Sequence, residues 1–212
     1  MKKNRFHLIC ALTGSCTALW AAPLNEGVLF HAPLEPENPV AYAEGSRQPQ
    51  KEPAFTPGGR LGSGVKIEGE PLRFNNVANL DLRAGTVAFW VKPAWDGATK
   101  QDEWTLFRAV HLNGAYTAHS KVLFFMTGTT IPEKGFVWDY STATNRVNQW
   151  KRDEWHHVAF TWNRDTGEKA IWIDGEPAVR QKGKYFPTSI SSSAPIEFGI
   201  TAPGVYDEIT IW

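Results

Sequence analysis

The stretch DEWHHVAFTWNRDTGEKAIWIDG, Asp153–Gly175, contains the strongest local structure signals of this chain. Apolar and polar side chains alternate before and after the segment NRDTG, residues 163–167, whose closing glycine suits the left-handed position of a hairpin loop. The stretch ends in Asp-Gly, which two-residue hairpin turns prefer. It therefore predicts two antiparallel strands, Trp155–Trp162 and Lys169–Ile173, followed by a second hairpin.

Two adjacent histidines in the first of these strands, His156 and His157, lie beside acidic residues and suggest a metal site or an acid/base pair. Successive side chains of a strand point to opposite faces, so the two rings cannot reach one metal ion without distortion. We therefore interpret His156 as a partly exposed strand residue. We interpret His157 as a packed residue whose ring hydrogen-bonds a neighbour.

The same period-2 alternation recurs along the chain between turns rich in Gly, Pro, Asn and Asp, and no long helical-period stripe accompanies it. The chain is therefore predicted to be all-β, a sandwich of two antiparallel sheets, with residues 34–59 as a long surface loop. The predicted strands are Gly27–Ala32, Gly64–Glu68, Leu72–Phe74, Gly85–Lys92, Trp104–Val110, Lys121–Met126, Phe136–Tyr140, Trp155–Trp162, Lys169–Ile173, Ala178–Arg180, Ile196–Ile200 and Tyr206–Ile211.

The N-terminus has the layout of a secretory signal peptide. Three basic residues within the first five precede the apolar run of residues 6–20, and Ala21 and Ala22 follow it. We predict a signal peptide over residues 1–22 and one domain over residues 23–212, in a protein that is secreted, extracellular or periplasmic. Thr13 stands where a lipoprotein signal usually has Leu, which argues against a lipid anchor.

Charge and cysteine content limit the classes of partner. The chain has 22 basic and 22 acidic residues, and removal of the signal peptide would take away three basic ones. The remaining slight acidity gives no reason to expect nucleic acid or an anionic membrane as partner. Cys10 and Cys16 both lie within the predicted signal peptide, so we expect no disulfide and no integral membrane segment after its removal.

Four motifs in a fixed order resemble the laminin G-like, concanavalin A-type jelly rolls of secreted bacterial proteins. They are GRLGSGVKIEG at residues 59–69, GTVAFWVKPAWDG at residues 85–97, EWHHVAFTWNRDTGEKAIWIDGEPA at residues 154–178 and GVYDEITIW at residues 204–212. The resemblance implies two antiparallel sheets packed face to face, one of them curved so that its concave side can hold a ligand. Because the fold hosts glycan-binding modules, protein-binding modules, hydrolases and lyases, it does not choose among them.

The sequence gives little support for catalysis. Laminarinase-type relatives draw both catalytic carboxylates from a strand of pattern E-x-D-x-x-E, and here no Glu is followed two residues later by Asp. The predicted mature chain has no cysteine, no serine in a G-x-S-x-G context and no chelating histidine pattern. We therefore expect a protein that is not an enzyme, with an unrecognised polysaccharide lyase or hydrolase as the least favoured alternative.

Aromatic and hydrogen-bonding residues in the more variable segments are the candidates for ligand contact, because flat rings stack on sugars while polar groups fix their orientation. The segment from Trp138 to Trp155 is the richest in them. Tryptophans inside the resembling motifs, Trp90, Trp155 and Trp172, are predicted to be structural. The candidates are Trp138, Tyr140, Arg146, Asn148, Trp104 and Trp150, and Trp95 belongs to the same group of variable-segment tryptophans.

A structural calcium ion is a further expectation from the resemblance. Asp207 in VYDEITIW matches a closing-strand aspartate that holds Ca²⁺ in several relatives, and calcium prefers oxygen ligands. The segment Glu44-Gly45-Ser46 departs from the Asp/Asn/Gly-rich turn that is usual on the other side of such sites. The alternative is that Asp207 accepts backbone hydrogen bonds and fixes the end of the chain.

Together these observations predict an exported, non-catalytic module that binds an extracellular polysaccharide or glycoprotein. Stacking and hydrogen bonding on a concave sheet or its loops would supply the recognition. The alternative from another class is a structural or protein-adhesion domain whose face meets a protein or a second copy of the chain.

Overall fold

A computed structural model describes residues 26–97, 103–109, 112–117, 121–131, 135–143, 147–182 and 192–212, and these residues form strands with one short 3₁₀ helix, Val147–Gln149. The predicted signal peptide lies outside the described residues. The strands are β1 Phe30–Ala32, β2 Tyr42–Ala43, β3 Phe55–Pro57, β4 Ser63–Ile67, β5 Leu72–Asn75, β6 Ala84–Pro93, β7 Glu103–Ala109, β8 Leu112–Thr117, β9 Lys121–Ile131, β10 Gly135–Ala143, β11 His156–Asn163, β12 Glu168–Ile173, β13 Glu176–Lys182, β14 Pro195–Phe198 and β15 Gly204–Ile211.

The strands form two antiparallel sheets, which confirms the predicted fold class. The nine-stranded sheet has the order β13-β12-β11-β6-β15-β1-β2, with β4 paired to β15 and β3 paired to β4. The six-stranded sheet has the order β10-β9-β8-β7-β14-β5. No helix in the described ranges is long and apolar enough to cross a membrane.

The hairpin predicted from Asp153–Gly175 is present. Strands β11 and β12 pair from Val158 with Ile173 to Asn163 with Glu168. Its loop is held by the Asn163 side chain, whose Oδ1 accepts hydrogen bonds from two backbone amides of the loop. Gly167 and Gly175 have φ angles of 74° and 81°, which glycine adopts without steric cost.

Aromatic side chains from both sheets meet in the core. Phe89 of the nine-stranded sheet packs edge-on against Phe198 of the six-stranded sheet, with ring centroids 5.4 Å apart. Phe30 of the nine-stranded sheet and Phe74 of the six-stranded sheet make a second contact, with tilted rings and centroids 4.8 Å apart. All four rings are fully buried. Removing its apolar surface from water lets each ring contribute roughly 1.5–3 kcal/mol to the stability of the fold.

The long loop predicted over residues 34–59 is partly wrong, because it contains β2 and β3. These strands have two and three residues, so they are too short to produce a readable alternation. Strand β8, Leu112–Thr117, was also not predicted. It contains asparagine and glycine, which favour turns in a reading of local sequence, and its pairing with β7 and β9 overrides that preference.

Candidate ligand-binding surface

Two of the six predicted ligand residues belong to the core. The side chains of Trp104 and Trp150 are 8% and 2% exposed. Trp95 stacks on Trp104 with ring centroids 4.7 Å apart and on Trp150 with centroids 5.9 Å apart. The expectation that Trp104 and Trp150 offer a ring face to a ligand is therefore corrected, because these rings bury their apolar surface against one another.

The structure describes the backbone of three of the other four candidates. Trp138 and Tyr140 lie in β10, at one end of the six-stranded sheet, and a register irregularity occurs between Val137 and Asp139. Asn148 is in the 3₁₀ helix Val147–Gln149. Arg146 lies outside the described residues. A ligand-binding role for Trp138 and Tyr140, on the six-stranded sheet, stays a prediction.

The two adjacent histidines lie on opposite faces of β11, as strand alternation predicts, and both are partly buried. The His156 ring is parallel to the Trp150 ring at a centroid distance of 4.2 Å, and its Nδ1 lies 3.0 Å from Asp174 Oδ2. The His157 ring contacts Trp90 instead, and its backbone amide donates to Asp174 Oδ1 at 2.8 Å. Burial lowers the pKa of His157. Both rings therefore pack against a tryptophan, and the ring hydrogen bond expected of His157 is made by His156.

Asp174 binds both histidines and has a structural role at the end of the hairpin. Burial alone would raise the pKa of Asp174, but hydrogen bonds from His156 and from the His157 amide outweigh it and lower the pKa. The Asp174 carboxylate is therefore a hydrogen-bond acceptor that fixes the end of the hairpin, where the backbone of Asp174 has a φ of 53°. Its geometry serves the fold of the nine-stranded sheet.

A buried carboxylate on the six-stranded sheet holds two arginines. Glu197 of β14 lies opposite Arg73 of β5 on one side and opposite Arg108 of β7 on the other. Glu197 Oε1 accepts from Arg73 Nε at 2.9 Å, and Oε2 accepts from Arg108 Nε at 2.7 Å. The Glu197 side chain is 7% exposed, while those of Arg73 and Arg108 are 36% and 42% exposed. We call these three residues the arginine–glutamate triad.

The triad lies on the face of the six-stranded sheet that points away from the core. Its members alternate with buried neighbours, Leu72 and Phe74 in β5 and Ile196 and Phe198 in β14. Since successive residues of a strand face opposite sides, the triad occupies the outer face. The carboxylate lies low on this face and the two guanidinium groups lie at its surface.

Arg73, Glu197 and Arg108 lie opposite one another on three neighbouring strands, and the backbone register continues this row of positions across the whole six-stranded sheet. Arg108 pairs with Asn113 of β8, Asn113 pairs with Phe125 of β9, and Phe125 pairs with Tyr140 of β10. Residues directly opposite each other in neighbouring strands occupy one row of a sheet. The six positions from Arg73 to Tyr140, which we call the cross-sheet row, span about 24 Å at the usual strand spacing.

Sequence reasoning missed the triad because its members are far apart in the chain. The Glu197 bonds to Arg73 and Arg108 join residues separated by 124 and 89 positions. A local signal was nevertheless present, since each charged residue stands between apolar ones, in Leu-Arg-Phe, Phe-Arg-Ala and Ile-Glu-Phe. Three such isolated charges in apolar strands indicate a shared outer face, although they do not reveal which strands pair.

The outer face of the nine-stranded sheet carries tryptophans covered by cations. Trp90, Trp155 and Trp172, which the sequence predicts to be structural, are half-buried and stand outside the core cluster. A cation lies 4.4–5.1 Å from each ring centroid, an arrangement that ring electrons stabilise. The pairs are Arg60 with Trp90, Lys92 with Trp155 and Arg180 with Trp172.

Asp207 accepts backbone hydrogen bonds, the alternative to calcium in the sequence interpretation. Its Oδ2 accepts from the amides of Arg60 at 2.7 Å and Leu61 at 3.0 Å, and its Oδ1 accepts from the Glu208 amide at 2.9 Å. Burial raises the pKa of this carboxyl. Calcium requires several oxygen ligands, whereas the hydrogen-bond partners of Asp207 are N–H donors, and a calcium ion at Asp207 stays a prediction. The described part of the chain also contains no group of three or more His, Cys, Asp or Glu side chains able to hold a metal.

Comparisons with solved structures find similar folds in several binding domains. The chain is similar to the botulinum neurotoxin serotype D binding domain, with a TM-score of 0.63, 13% identity and 87% of this chain covered, and it spans 48% of that domain, about half its length. It is similar to the Ruminococcus gnavus IT-sialidase CBM40 bound to α2,6 sialyllactose, with a TM-score of 0.51, 12% identity and coverage of 70% and 89% of the two chains.

A third similar structure is domain 4 of AbnA, a GH43 extracellular arabinanase from Geobacillus stearothermophilus, in complex with arabinotriose. Its TM-score is 0.56 at 14% identity, with 87% of this chain and 91% of that chain covered. At these identities the likeness shows the fold. A comparison with curated protein sequences gives no match. The family model described as the concanavalin A-like lectin/glucanases superfamily matches residues 68–212. The chain therefore belongs to the concanavalin A-like lectin/glucanases superfamily, as a laminin G-like member.

Proposed function

We propose that this protein is an exported, non-catalytic module that binds an extracellular glycan, free or on a glycoprotein, along the cross-sheet row. The observation that carries the proposal is the triad, in which buried Glu197 holds the guanidinium groups of Arg73 and Arg108 at the outer face. The apolar N-terminal run supports export. Structures of similar fold solved with sialyllactose and with arabinotriose support carbohydrate as the class of ligand.

The row has the chemical groups that sugar recognition needs. Each guanidinium is a planar fork of N–H donors, and sugar hydroxyls and ring oxygens accept such hydrogen bonds. The backbone positions of Asn113, Phe125 and Tyr140 continue the same row. Arginines that are already held in place lose less side-chain entropy when a ligand binds, which strengthens binding.

The row also supports a non-catalytic role. A glycosidase of the two-carboxylate type needs an acid and a second carboxylate at a set separation. The cross-sheet row contains one carboxylate, Glu197, and arginine N–H donors occupy both of its oxygens. A carboxylate engaged in this way is not placed to transfer a proton to a substrate.

Binding to a glycan array and affinity electrophoresis in polysaccharide gels test the proposal. We expect the purified protein to bind at least one polysaccharide, and Tyr140→Ala in β10 to weaken that binding. The matched control is Tyr42→Ala, because Tyr42 lies in β2 of the nine-stranded sheet. We expect no release of reducing ends from the bound polysaccharide. The proposal is overturned if no glycan binds, an outcome that favours the protein-adhesion alternative, or if Tyr42→Ala and Tyr140→Ala weaken binding equally.

A further inference from the structure

We infer that the glycan bound by the cross-sheet row is acidic and that Arg73 and Arg108 bind its carboxylate, as found in a uronic or sialic acid residue. This inference rests on the proposed function and adds the chemical class of the ligand. It depends on three features of the triad, namely the free donors, the charge at the surface and the spacing of the two arginines.

The triad leaves donors of both arginines unused. Arg73 donates to Glu197 through Nε, and Arg108 contacts it through Nε and Nη2. Each guanidinium has five N–H donors, whereas one carboxylate accepts about four hydrogen bonds, so Glu197 can occupy only a minority of the donors of the two arginines. Such donors bind a carboxylate in pairs, with hydrogen bonds stronger than those to neutral acceptors.

The charge that solvent meets at the triad is positive. Two guanidinium groups and one carboxylate leave a net charge of one positive unit. The negative member is 7% exposed, while the positive members are 36% and 42% exposed. An anion that approaches the outer face therefore meets the guanidinium groups first, and the buried carboxylate repels it from a greater depth.

The number of arginines exceeds what Glu197 needs for burial. One guanidinium can satisfy both oxygens of a carboxylate through a paired contact. Here each arginine serves a different oxygen, Oε1 for Arg73 and Oε2 for Arg108. Their Cα atoms lie two strand spacings apart, about 10 Å, and the side chains converge on the central carboxylate. A second carboxylate above Glu197 is placed to bridge the two guanidinium groups.

The inference is tested by titration calorimetry with probes that differ in charge alone. An oligogalacturonate and its methyl ester form one pair, and sialyllactose and its methyl ester form the other, so the two arms separate a uronic acid from a sialic acid as the source of the carboxylate. We expect the acidic member of at least one pair to bind about tenfold or more tightly than its neutral partner. We also expect added salt to weaken that binding.

Substitutions assign the effect to the triad. Arg73→Gln and Arg108→Gln are each expected to reduce the affinity for the acidic probe about tenfold or more and to leave the affinity for the neutral probe nearly unchanged. The matched control is Arg83→Gln. Arg83 Nη2 lies 2.8 Å from Asp165 Oδ2 in an exposed ion pair, and neither residue belongs to the cross-sheet row. Arg73→Lys and Arg108→Lys keep the charge that Glu197 requires, so they serve if the glutamine variants unfold, and the loss of the planar fork should still weaken acidic binding.

Each outcome decides a different point. Equal binding of acidic and neutral probes overturns the inference and leaves the proposed function standing. A preference for acidic probes that Arg83→Gln reduces as much as the triad variants do also overturns the inference. Failure of every saccharide to bind overturns the proposed function and the inference together.

Discussion

The imidazole ring of His156 lies parallel to the indole ring of Trp150, with centroids 4.2 Å apart and planes 2° apart. Trp150 in turn stacks on Trp95, and Trp95 stacks on Trp104. The histidine that the sequence places among acidic residues is therefore the end of a stacked aromatic column. The column joins β11 to β7, so it connects the two sheets at one end of the sandwich.

Removal of one ring from this column should destabilise the protein strongly. We expect Trp150→Ala to lower the free energy of unfolding by about 3–5 kcal/mol, because the cavity left by a buried tryptophan cannot close fully. The control is Trp212→Ala, whose side chain is 37% exposed and whose loss should cost less than about 1 kcal/mol. Urea unfolding measures both. Equal losses would show that the column does not contribute as its burial indicates.

The triad should contribute to stability as well as to binding. We expect Glu197→Gln to lower the free energy of unfolding by about 1–3 kcal/mol, because two guanidinium groups lose the anion between them while remaining partly hydrated. The control is Asp165→Asn in the exposed ion pair with Arg83, for which we expect little change. Chemical unfolding of the two variants checks this. A Glu197→Gln protein as stable as the control would contradict the description of Glu197 as the anchor of the triad.

Asp207 should stabilise the end of the chain without calcium. We expect Asp207→Ala to cost about 2–4 kcal/mol, since it leaves the amides of Arg60 and Leu61 without their acceptor. We also expect the melting temperature of the unaltered protein to be the same in excess calcium and in excess chelator. An ion bound to the folded state alone would raise that temperature with its concentration. A rise with calcium that Asp207→Ala abolishes would restore the calcium site expected from the sequence.

Glu208 should make stability depend on pH near neutrality. Burial, then the carboxylates of Asp207 and Glu35, raises the pKa of Glu208 from 4.5 to about 7. The folded protein therefore keeps the Glu208 proton to a higher pH than the unfolded chain does. The protonated Glu208 thus adds to the free energy of unfolding in full below the unfolded pKa, and this addition is lost as pH rises through about 7. His31 Nε2 lies 4.0 Å from Glu208, and burial lowers the pKa of His31.

Comparison with Glu208→Gln isolates this effect, because the contribution of His31 is largely shared by both proteins. We expect the unaltered protein to lose about 1–3 kcal/mol relative to Glu208→Gln between about pH 5 and about pH 8. Urea unfolding at the two pH values measures the difference. A difference that stays constant, or that grows in favour of the unaltered protein, would contradict the raised pKa.

Local pattern was sufficient to predict the elements whose partners lie nearby. The hairpin of β11 and β12 is present because alternation and turn residues specify it within one stretch of sequence. The same alternation separates His156 from His157, although it does not show that Trp150 lies beside His156. Ring contacts of that kind are set by the packing of distant segments, and therefore Trp104 and Trp150 could not be distinguished from surface tryptophans by composition.

The triad shows the same limit for the site. Arg73, Arg108 and Glu197 meet because β14 lies between β5 and β7, an order that depends on the connections of the whole sheet. The predicted candidate Tyr140 joins their row through β8 and β9, and β8 was not predicted at all. Sequence therefore identified one end of the cross-sheet row and missed its charged end.

Nuclear magnetic resonance of the arginine Nε–H groups tests most directly whether the ligand lies on the six-stranded sheet. The protein is titrated with the saccharide that binds most tightly, with Arg60 and Arg180 of the opposite face as internal controls. We predict that the Arg73 and Arg108 signals shift with saturation while those of Arg60 and Arg180 stay in place. Shifts confined to Arg60 and Arg180 would contradict the proposed location and would assign binding to the tryptophan-bearing face of the nine-stranded sheet.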